Sequence, residues 1–402
     1  MKLSEILRER GYIYQHSSPV EEITDGQART LYLGIDPTAD SMHVGHLQAM
    51  LVLRRFLEGG HKVIVLLGGG TGMIGDPSGK SEERVLLDEE TLARNAEGVR
   101  KQAQKLFQSD NFQIQNNLDW LGKLKVIDFL RDIGKHFSVN AMMARDSVKD
   151  RLENRDQGIS YTEFSYMLLQ SYDFLHLFEA EGCDLQIGAS DQWGNMVSGV
   201  DLIRRKTGKT AYALSFPLLV NKATGKKFGK SEGGAVWLDP KKTSAFDFYQ
   251  FWFNTDDSDV EEYLLKMTML PKADIDEVMA EQKENPASRT AQKNLAFEVT
   301  ALVHGEEEAE KVAKASEDLF SGASSENAPT VKVESTISLV DALVASNLAT
   351  SKREARQFIA DGAVQLNSTK ETDEGRVLNA EDFKEGKALL KRGKRNIVAL
   401  TL

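Results

Sequence analysis

The stretch from residue 31 to residue 57 constrains the fold more than any other part of the sequence. Leu31–Ile35 is apolar, alternating and branched, which predicts a short buried strand, and Asp-Pro-Thr at residues 36–38 predicts a turn. From Gly45 to Leu57, apolar residues recur at helical spacing and predict a helix that is buried along most of one side. A strand that leads through a turn into a buried helix is typical of α/β proteins.

The start of this helix carries two histidines. His43 and His46 are three residues apart and therefore lie on one face of the first turn. Free backbone N–H groups and the helix dipole favour an anion at this end, and Gly45 lets a ligand approach the backbone. The segment predicts a phosphate site, although a His-x-Gly-His sequence alone is also compatible with ordinary polar surface.

Later segments repeat the alternation of strands and helices. A second strand, Lys62–Leu67, opens into the glycine-rich residues 68–80, and the short strand Leu185–Ile187 ends in GASDQWGN at 188–195. Helices are predicted over residues 88–108, 126–132 and 163–179. This order predicts a parallel α/β sheet with ligands at the carboxyl ends of its strands. The sequence GDPSGK at 75–80 lacks the spacing of a phosphate-binding P-loop, so that interpretation is rejected.

Polar residues at helical spacing mark a second candidate region. Tyr166, Gln170 and Asp173 are four and three residues apart and share one face of the helix predicted at 163–179. A phenol, a carboxamide and a carboxylate on one face suit a polar aromatic small molecule, or else the edge of an ordinary core. Asp76 follows a glycine-rich turn, where it could face an ammonium group or serve only as an Asp-Pro turn former.

Two more segments have both a functional and an ordinary interpretation. Asp191 follows a strand, as acidic residues that bind ribose hydroxyls do, and Gln192 lies beside it; a polar turn is the alternative. Lys227 and Lys230 lie in a glycine-flanked loop that could close on a polyphosphate, or be an ordinary lysine-rich loop.

Length and charge predict several domains and a nucleic-acid contact near the C-terminus. The chain has 402 residues, which exceeds one compact core. We predict a parallel-sheet domain over 1–220, a mobile lysine loop and connection over 221–243, a helical domain over 244–320, a linker over 321–335 and a small α+β domain over 336–402. The net charge is −11, yet residues 350–402 contain eleven basic and eight acidic residues. This basic tail favours RNA, or is simply a solvated lysine-rich face.

Cysteine content and hydropathy bear on the compartment. Cys183 is the single cysteine, which excludes an internal disulfide and fits a reducing environment. The sequence has no signal-peptide core and no apolar run near the length that spans a bilayer. We therefore expect a cytoplasmic protein without membrane contact.

Five motifs in this order and spacing resemble the bacterial tyrosyl-tRNA synthetase family of class I aminoacyl-tRNA synthetases. They are HVGH at 43–46, GDPSGK at 75–80, EFSYMLLQSYDFL at 163–175, GASDQWGN at 188–195 and KFGKS at 227–231. The likeness runs through essentially the whole chain. It implies a Rossmann-like parallel-sheet catalytic domain, followed by a helical domain on the anticodon side and a small α+β RNA-binding domain. It also implies a homodimer that acts on L-tyrosine, ATP and tRNA(Tyr).

The resemblance also implies a set of roles for individual residues. The implied tyrosine-binding residues are Tyr32, Asp76, Tyr166, Gln170, Asp173 and Gln192. The implied catalytic residues are Thr38, His43, His46, Lys227 and Lys230. The implied ATP-binding residues are Gly34, Asp36, His43, Gly45, His46, Asp191, Lys227, Lys230, Lys80 and Arg84. The implied RNA-binding residues are Lys352, Arg353, Arg356, Lys391 and Arg392. Leu33 and Ala49 stand where some members have a polar side chain near the ribose.

The implied reaction needs no enzymic nucleophile. The tyrosine carboxylate attacks the α-phosphorus of ATP, and a ribose hydroxyl of the tRNA then takes the acyl group. Mg²⁺ would accompany ATP, held mainly by phosphates and water, so no protein metal site is expected. A tryptophan-specific enzyme of the same fold, a non-catalytic RNA-binding paralogue and a small-molecule adenylyltransferase are the alternatives. Tyr32 together with Asp173 favours a phenol, because an indole only donates a hydrogen bond.

Overall fold

The fold is described from a computed structural model. It describes residues 1–78, 87–109, 111–153, 158–220, 228, 230–231, 234–321, 328, 330–334, 336–384, 386–393 and 396–402. The chain divides into two compact units. The first comprises residues 1–244 and 255–303, and the second comprises residues 245–254 and 304–402. The domain boundaries predicted from the sequence stay predictions.

The first unit is built on a six-stranded sheet. Its strands are β1 (Gln15–His16), β2 (Thr30–Ile35), β3 (Lys62–Leu67), β4 (Phe112–Asn116), β5 (Cys183–Ala189) and β6 (Tyr212–Phe216). They lie in the order β1-β6-β5-β2-β3-β4, and every pairing is parallel except that of β1 with β6. The central strand β2 is flanked by β3 and β5, so the carboxyl ends of these three strands meet at one edge. The order is that of a doubly wound fold, which binds ligands at this edge.

The first unit also contains a series of helices. They are α1 (Leu3–Glu9), α2 (Val20–Thr24), α3 (Val44–Glu58), α4 (Glu89–Phe107), α5 (Leu118–Leu121), α6 (Val126–Asp132), α7 (Val139–Met143), α8 (Asp146–Glu153), α9 (Tyr161–Glu181) and α10 (Trp193–Thr207). After α11, which lies in the second unit, come α12 (Val260–Met267), α13 (Lys272–Glu284) and α14 (Thr290–His304). The strand predicted at 62–67 and the helix predicted at 126–132 are confirmed with the same bounds.

Local sequence explains where the long helix α9 begins and ends. The Ser160 hydroxyl accepts the Glu163 N–H at 3.2 Å, which caps the N-terminus. Gly182 follows the helix at a φ of +64°, and its N–H donates to the Leu177 carbonyl, which ends the helix. Between these caps the helix buries Tyr166 and Asp173 toward the sheet.

The second unit joins two helices to a small α+β fold. Its helices are α11 (Ala245–Phe253), α15 (Glu306–Ser321), α16 (Leu339–Ala345) and α17 (Lys352–Ala360). Its five-stranded sheet has the order β12 (Thr369–Glu371), β11 (Val364–Leu366), β14 (Lys387–Arg392), β15 (Asn396–Thr401) and β9 (Thr330–Lys332). A separate pair joins β10 (Ile337–Ser338) to β13 (Val377–Leu378). Leu339, Ile359 and Leu390 are among the residues of its core.

The predicted fold class is confirmed: a parallel-sheet α/β unit, helices, and an α+β unit at the C-terminus. In this sheet, strands β1, β4 and β6 were not predicted. Phe112–Asn116 is the edge strand with only partial burial, so its apolar pattern is weak. Among the helices in the described part of the chain, none is long and apolar enough to cross a membrane.

Candidate active site

A cavity of about 830 Å³ lies at the carboxyl edge of the first unit's sheet, between β2, β5 and helices α3 and α9. It is lined by thirteen of the residues of the first unit to which the sequence assigned a role. These are Tyr32, Gly34, Asp36, Thr38, His43, Gly45, His46, Asp76, Tyr166, Gln170, Asp173, Asp191 and Gln192. Residues separated by up to 160 positions in the chain therefore meet at one site.

Four predicted cationic residues cannot be located in the cavity. Lys80, Arg84 and Lys227 lie outside the described residues. The backbone of Lys230 belongs to β7 (Lys230–Ser231), which pairs with β8 (Gly234–Ala235). The roles of these residues stay predictions.

The Asp173 carboxylate is the most strongly supported group in the cavity wall. It accepts hydrogen bonds from Asn117 Nδ2 at 2.9 Å and from Trp120 Nε1 at 2.7 Å. Burial raises the pKa of Asp173 to about 7. The hydrogen bonds from Asn117 and Trp120 lower this pKa, and the nearby Asp36 raises it. A buried carboxyl that titrates near neutrality is a common feature of binding sites.

Tyr32 lies on the central strand beside this carboxylate. Its ring is tilted against Phe174, with centroids 5.2 Å apart, and its side chain is 1% exposed. Burial and the neighbouring Asp173 raise the pKa of Tyr32 well above its usual range. In the described part of the protein, the Tyr32 hydroxyl has no hydrogen-bond partner. A buried hydroxyl without a partner is costly, so the cavity is suited to a ligand that supplies one.

A hydrogen-bonded chain extends from Asp173 to Asp36. Asn117 Nδ2 also donates to Thr71 Oγ1 at 2.9 Å, and Thr71 Oγ1 donates to Asp36 Oδ1 at 2.8 Å. The Tyr166 hydroxyl donates to Asp36 Oδ2 at 3.0 Å. Both oxygens of Asp36 are therefore engaged on the same side as the predicted tyrosine-binding residues, and its predicted contact with ATP stays a prediction.

A second polar group surrounds Asp76. Its Oδ1 accepts the Ser78 N–H at 3.0 Å, and its Oδ2 accepts Gln192 Nε2 at 2.6 Å. Gln192 Oε1 in turn accepts Asn195 Nδ2 at 3.3 Å. Gln170 Oε1 is buried without a partner among the described residues. A carboxylate and an amide oxygen in the same cavity form an acceptor set for an ammonium group.

The two histidines occupy the start of α3 as predicted. His43 is the N-cap, and its Nδ1 accepts the Gly45 N–H at 3.0 Å, while His46 Nδ1 accepts the His43 N–H at 3.2 Å. Because both Nδ1 atoms accept, a neutral ring carries its proton on Nε2. Burial and the adjacent His43 lower the pKa of His46 to about 3, so this ring is neutral at pH 7. A Cβ at position 45 would lie 2.7 Å from His43 Cε1, so glycine is needed there.

Helix α4 fixes the loop that precedes the histidines. Asn95 Nδ2 donates to the Pro37 carbonyl at 2.9 Å. Gln102 Oε1 accepts the Met42 N–H at 2.7 Å, and its Nε2 donates to Ser41 Oγ at 2.9 Å. Asn95 and Gln102 are seven residues apart, two helical turns, and so lie on one face of α4. This face fixes residues 37–42 at three points.

Gly98 lies on the same face of α4, at the point where the helix backbone comes very close to the backbone of Asp40. A Cβ at position 98 would lie 1.9 Å from the carbonyl oxygen of Asp40. No side chain fits there unless the loop or the helix moves, so the distance between α4 and residues 37–42 depends on this glycine.

The supporting residues were not found from the sequence. Thr71, Asn117, Trp120, Asn95 and Gln102 carry no motif and reach the site only through long-range packing. Asn117 is the exception in having a weak signal, because polar residues directly after a strand of a parallel sheet lie at its ligand-binding edge. That signal depended on β4, which was not predicted.

The predicted RNA-binding residues lie on the second unit. Lys352, Arg353 and Arg356 are all exposed on α17. The Lys352 ammonium pairs with Asp341 at 2.7 Å, and the Arg392 guanidinium lies 4.8 Å from the ring centroid of Phe358. The three exposed cations lie on one short helix, and their contact with RNA stays a prediction. Among the described residues, no group of His, Cys, Asp and Glu could hold a metal ion.

Two known protein families match this chain. The family of class I tRNA synthetases for tryptophan and tyrosine matches residues 24–321, and the C-terminal domain of tyrosine–tRNA ligases matches residues 320–400. The tyrosine–tRNA ligase of Roseiflexus castenholzii is 46% identical over 97% of both chains. That of Geobacillus stearothermophilus is 47% identical over 98% of both chains. The chain belongs to the tyrosine–tRNA ligase family.

Solved structures agree with this family membership. A C-terminally truncated mitochondrial tyrosyl-tRNA synthetase from Aspergillus nidulans has a TM-score of 0.71 at 32% identity, covering 79% of this chain and 94% of that one. A tryptophanyl-tRNA synthetase from Encephalitozoon cuniculi, at 16% identity and a TM-score of 0.56, covers 78% of this chain and 89% of that one and shares the fold. The predicted enzyme class, a class I aminoacyl-tRNA synthetase that uses ATP, is confirmed. The tryptophan-specific and non-catalytic alternatives are not favoured.

Proposed function

We propose that the chain activates L-tyrosine with ATP and transfers it to the 3′-terminal ribose of tRNA(Tyr), with the residue roles given below. The observation that carries these roles is the buried pair of Tyr32 and Asp173. The hydroxyl of Tyr32 lacks a partner among the described residues, and the carboxylate of Asp173 is an acceptor. A phenol both accepts and donates a hydrogen bond, so it satisfies both groups, whereas an indole only donates.

The amino end of tyrosine is assigned to the second polar group. Asp76, Tyr166 and Gln170 bind the ammonium, and Gln192 lies near the carboxyl group. The negative charge of Asp76 and the unpartnered Oε1 of Gln170 support this assignment, because an ammonium has three donors and no acceptor. An amino acid with a hydroxyl at the far end of its side chain would then satisfy both polar groups of the cavity.

ATP is assigned to the histidine end of the cavity. His43, His46 and Thr38 contact the phosphates from the start of α3, Gly34 and Gly45 allow close approach, and Asp191 binds the ribose. The neutral His46 imidazole is a hydrogen-bond donor rather than an ion, and in both histidines Nδ1 already accepts a hydrogen bond, so their Nε2 atoms are left to stabilise the charge that develops on the α-phosphate. Lys227, Lys230, Lys80 and Arg84 are assigned to the pyrophosphate. Asp36 accepts hydrogen bonds from Thr71 and Tyr166 on the tyrosine-binding side of the cavity, and it lies next to the assigned ATP site.

Catalysis in this proposal is positioning and charge stabilisation. The carboxylate oxygen of tyrosine bonds to the α-phosphorus, and the bond from that phosphorus to the bridging oxygen of pyrophosphate breaks. The ribose hydroxyl then attacks the tyrosyl carbonyl carbon, AMP leaves, and the hydroxyl proton is released. Mg²⁺ enters with ATP as part of the substrate.

The C-terminal unit is assigned to tRNA. Lys352, Arg353, Arg356, Lys391 and Arg392 contact phosphates. The exposure of the three cations on α17 supports this role, because phosphate contacts fix a nucleic acid without reading its sequence.

Homodimerisation is part of the proposal. Large apolar side chains are exposed between residues 126 and 161, and a chain in water does not usually expose so many close together in sequence. They are Val126, Ile127, Leu130, Val139, Met143, Leu152 and Tyr161. A second copy of the chain would cover them. We also propose a cytoplasmic location. It is supported by the single cysteine, Cys183, which is buried as a free thiol and therefore fits a reducing compartment.

The experiment that tests the proposal is amino-acid-dependent exchange of pyrophosphate into ATP, with tyrosine, tryptophan and phenylalanine compared in the absence of tRNA. Exchange with tyrosine alone is expected. Exchange with tryptophan would retain the enzyme class and refute the phenol site at Tyr32 and Asp173. Absence of exchange from a folded protein that binds tRNA would refute the catalytic assignment.

A further inference from the structure

We propose that Trp237 is a positioning residue for His43: it holds the imidazole in the orientation that contacts the α-phosphate. The inference rests on the proposed function, in which His43 contacts ATP. Trp237 is not among the described residues that line the cavity, so it acts through His43 and not on the substrate.

The backbone brings Trp237 opposite His43. The Val44 N–H donates to the Val236 carbonyl at 2.9 Å, and the Leu238 N–H donates to the Met42 carbonyl at 2.9 Å. These two bonds form an isolated antiparallel bridge between His43 and Trp237. Residues directly opposite in an antiparallel pair place their side chains on the same face, so the two rings are neighbours by register.

The two rings make an edge contact. Their centroids are 6.0 Å apart and their planes are inclined at 67°. This is the arrangement that aromatic pairs favour, because the positive edge of one ring meets the negative face of the other. His43 also packs against His46, with centroids 4.0 Å apart. The imidazole of His43 is therefore restricted both by its own helix and by the indole.

The indole is itself held in place. The backbone N–H of Trp237 donates to Thr243 Oγ1 at 3.0 Å, which fixes the backbone that carries the ring. The Lys242 ammonium lies 5.1 Å from the ring centroid and pairs with Asp40 at 2.5 Å. Asp40 belongs to the loop before His43. Residues 236–243 therefore contact this loop at Asp40 and at Met42, and Trp237 also contacts the His43 ring.

A further contact ties the same two segments together at Ser41. Its hydroxyl oxygen accepts the Asp239 N–H at 3.2 Å and also accepts Gln102 Nε2 at 2.9 Å. Helix α4 and residues 236–243 thus fix one short loop from two directions. Because the loop is restrained independently of Trp237, removal of the indole is expected to free the imidazole without displacing the backbone.

The test is a double-mutant cycle in pyrophosphate exchange. Trp237→Leu removes the aromatic edge, and Trp237→Phe keeps an aromatic ring. Loss of one edge contact is expected to lower kcat about 3- to 10-fold with the KM for tyrosine unchanged, and Trp237→Phe should recover most of the loss. In a His43→Asn background, Trp237→Leu should cause no further loss, because the residue through which it acts is absent.

Additive losses in the double variant, or a KM for tyrosine that rises in step with the fall in kcat, would overturn the inference. If Trp237→Leu does not fold, the side-chain NMR signals of His43 in Trp237→Phe provide the measurement. The chemical shifts of the His43 ring are expected to change there, because an indole and a phenyl ring shield neighbouring protons differently, while its rotameric averaging stays the same; unchanged shifts would count against the contact. This readout does not need ATP, so it remains decisive even if the unaltered protein shows no exchange and the proposed function fails.

Discussion

Trp120→Phe tests the site through a residue that does not need to touch the substrate. The substitution removes the indole N–H that donates to Asp173 Oδ1 at 2.7 Å. It retains an aromatic ring in the stack with His176, where the ring centroids are 4.3 Å apart. It therefore isolates one hydrogen bond to a buried carboxylate.

The expected effect is a change in the pH dependence of tyrosine binding. A hydrogen bond to a charged group contributes about 1.5–3 kcal/mol, which corresponds to about 1 to 2 pH units in the pKa of its acceptor. The pKa of Asp173 starts at about 7, and the Trp120 bond lowers it, so the variant should have a higher pKa. Tyrosine binds the ionised carboxylate better, so its affinity falls as the pH drops through this pKa. At pH 7.5 the variant should bind tyrosine roughly 3- to 25-fold more weakly.

Equilibrium dialysis with labelled tyrosine between pH 6 and pH 9.5 measures this profile without relying on indole fluorescence. The midpoint should move upward by about 1 to 2 pH units, and the two affinities should converge at high pH. Trp252→Phe, the same exchange at a buried position of the second unit, is the control and should leave the profile unchanged. A Trp120→Phe profile that coincides with that of the unaltered protein would refute the coupling between this bond and Asp173.

Four further outcomes are expected. Tyr32→Phe should raise the KM for tyrosine and weaken the rejection of phenylalanine, measured by pyrophosphate exchange; unchanged selectivity would remove Tyr32 from the phenol site. The folded-state pKa of Asp173, about 7, exceeds the unfolded value of about 4, so the unfolded chain loses this proton first and unfolding free energy falls as the pH rises from about 4 to 7. Asp173→Asn should reduce that slope in denaturant titrations at pH 5 and pH 8, and an unaltered slope would contradict the assigned pKa. Gln102→Leu leaves the buried Met42 N–H without its acceptor and should cost about 1–3 kcal/mol of stability in denaturant titration, with Gln102→Glu as the milder control, since it retains an acceptor. Lys230→Ala should slow adenylate formation in a rapid-quench assay far more than it weakens tyrosine binding, and a defect confined to affinity would argue against its role at the pyrophosphate.

The parts of the fold that follow from local sequence were predicted well. The strand predicted at Leu31–Ile35 is observed as Thr30–Ile35, and the helix predicted over 163–179 is observed as Tyr161–Glu181. The strand is buried on both faces and the helix along much of its length, which produces a clear apolar pattern in the sequence. Spacing along the helix predicted that Tyr166, Gln170 and Asp173 share a face, whereas the place of Tyr32 in the site was implied by the family resemblance.

The residues that support the cavity could not be predicted in the same way. Trp120 reaches Asp173 from 53 positions away, and Gln102 reaches Met42 from 60 positions away. Such contacts depend on how strands are ordered in the sheet and on how α4 packs, neither of which leaves a local pattern. Trp237 is a further case, since its register with His43 is fixed by two backbone bonds across nearly 200 residues.

The close approach of Gly98 to the Asp40 carbonyl has a consequence for mutational scanning. Position 98 lies in a long amphipathic helix, where alanine would ordinarily raise helix stability. Here a Cβ would lie 1.9 Å from the carbonyl oxygen, so alanine would push residues 37–42 and the histidines after them out of place. A scan for growth or activity would then score Gly98 as intolerant alongside the substrate-contacting residues, although it touches no substrate. Intolerance in such a map would report a distance between two backbones, and not a chemical role.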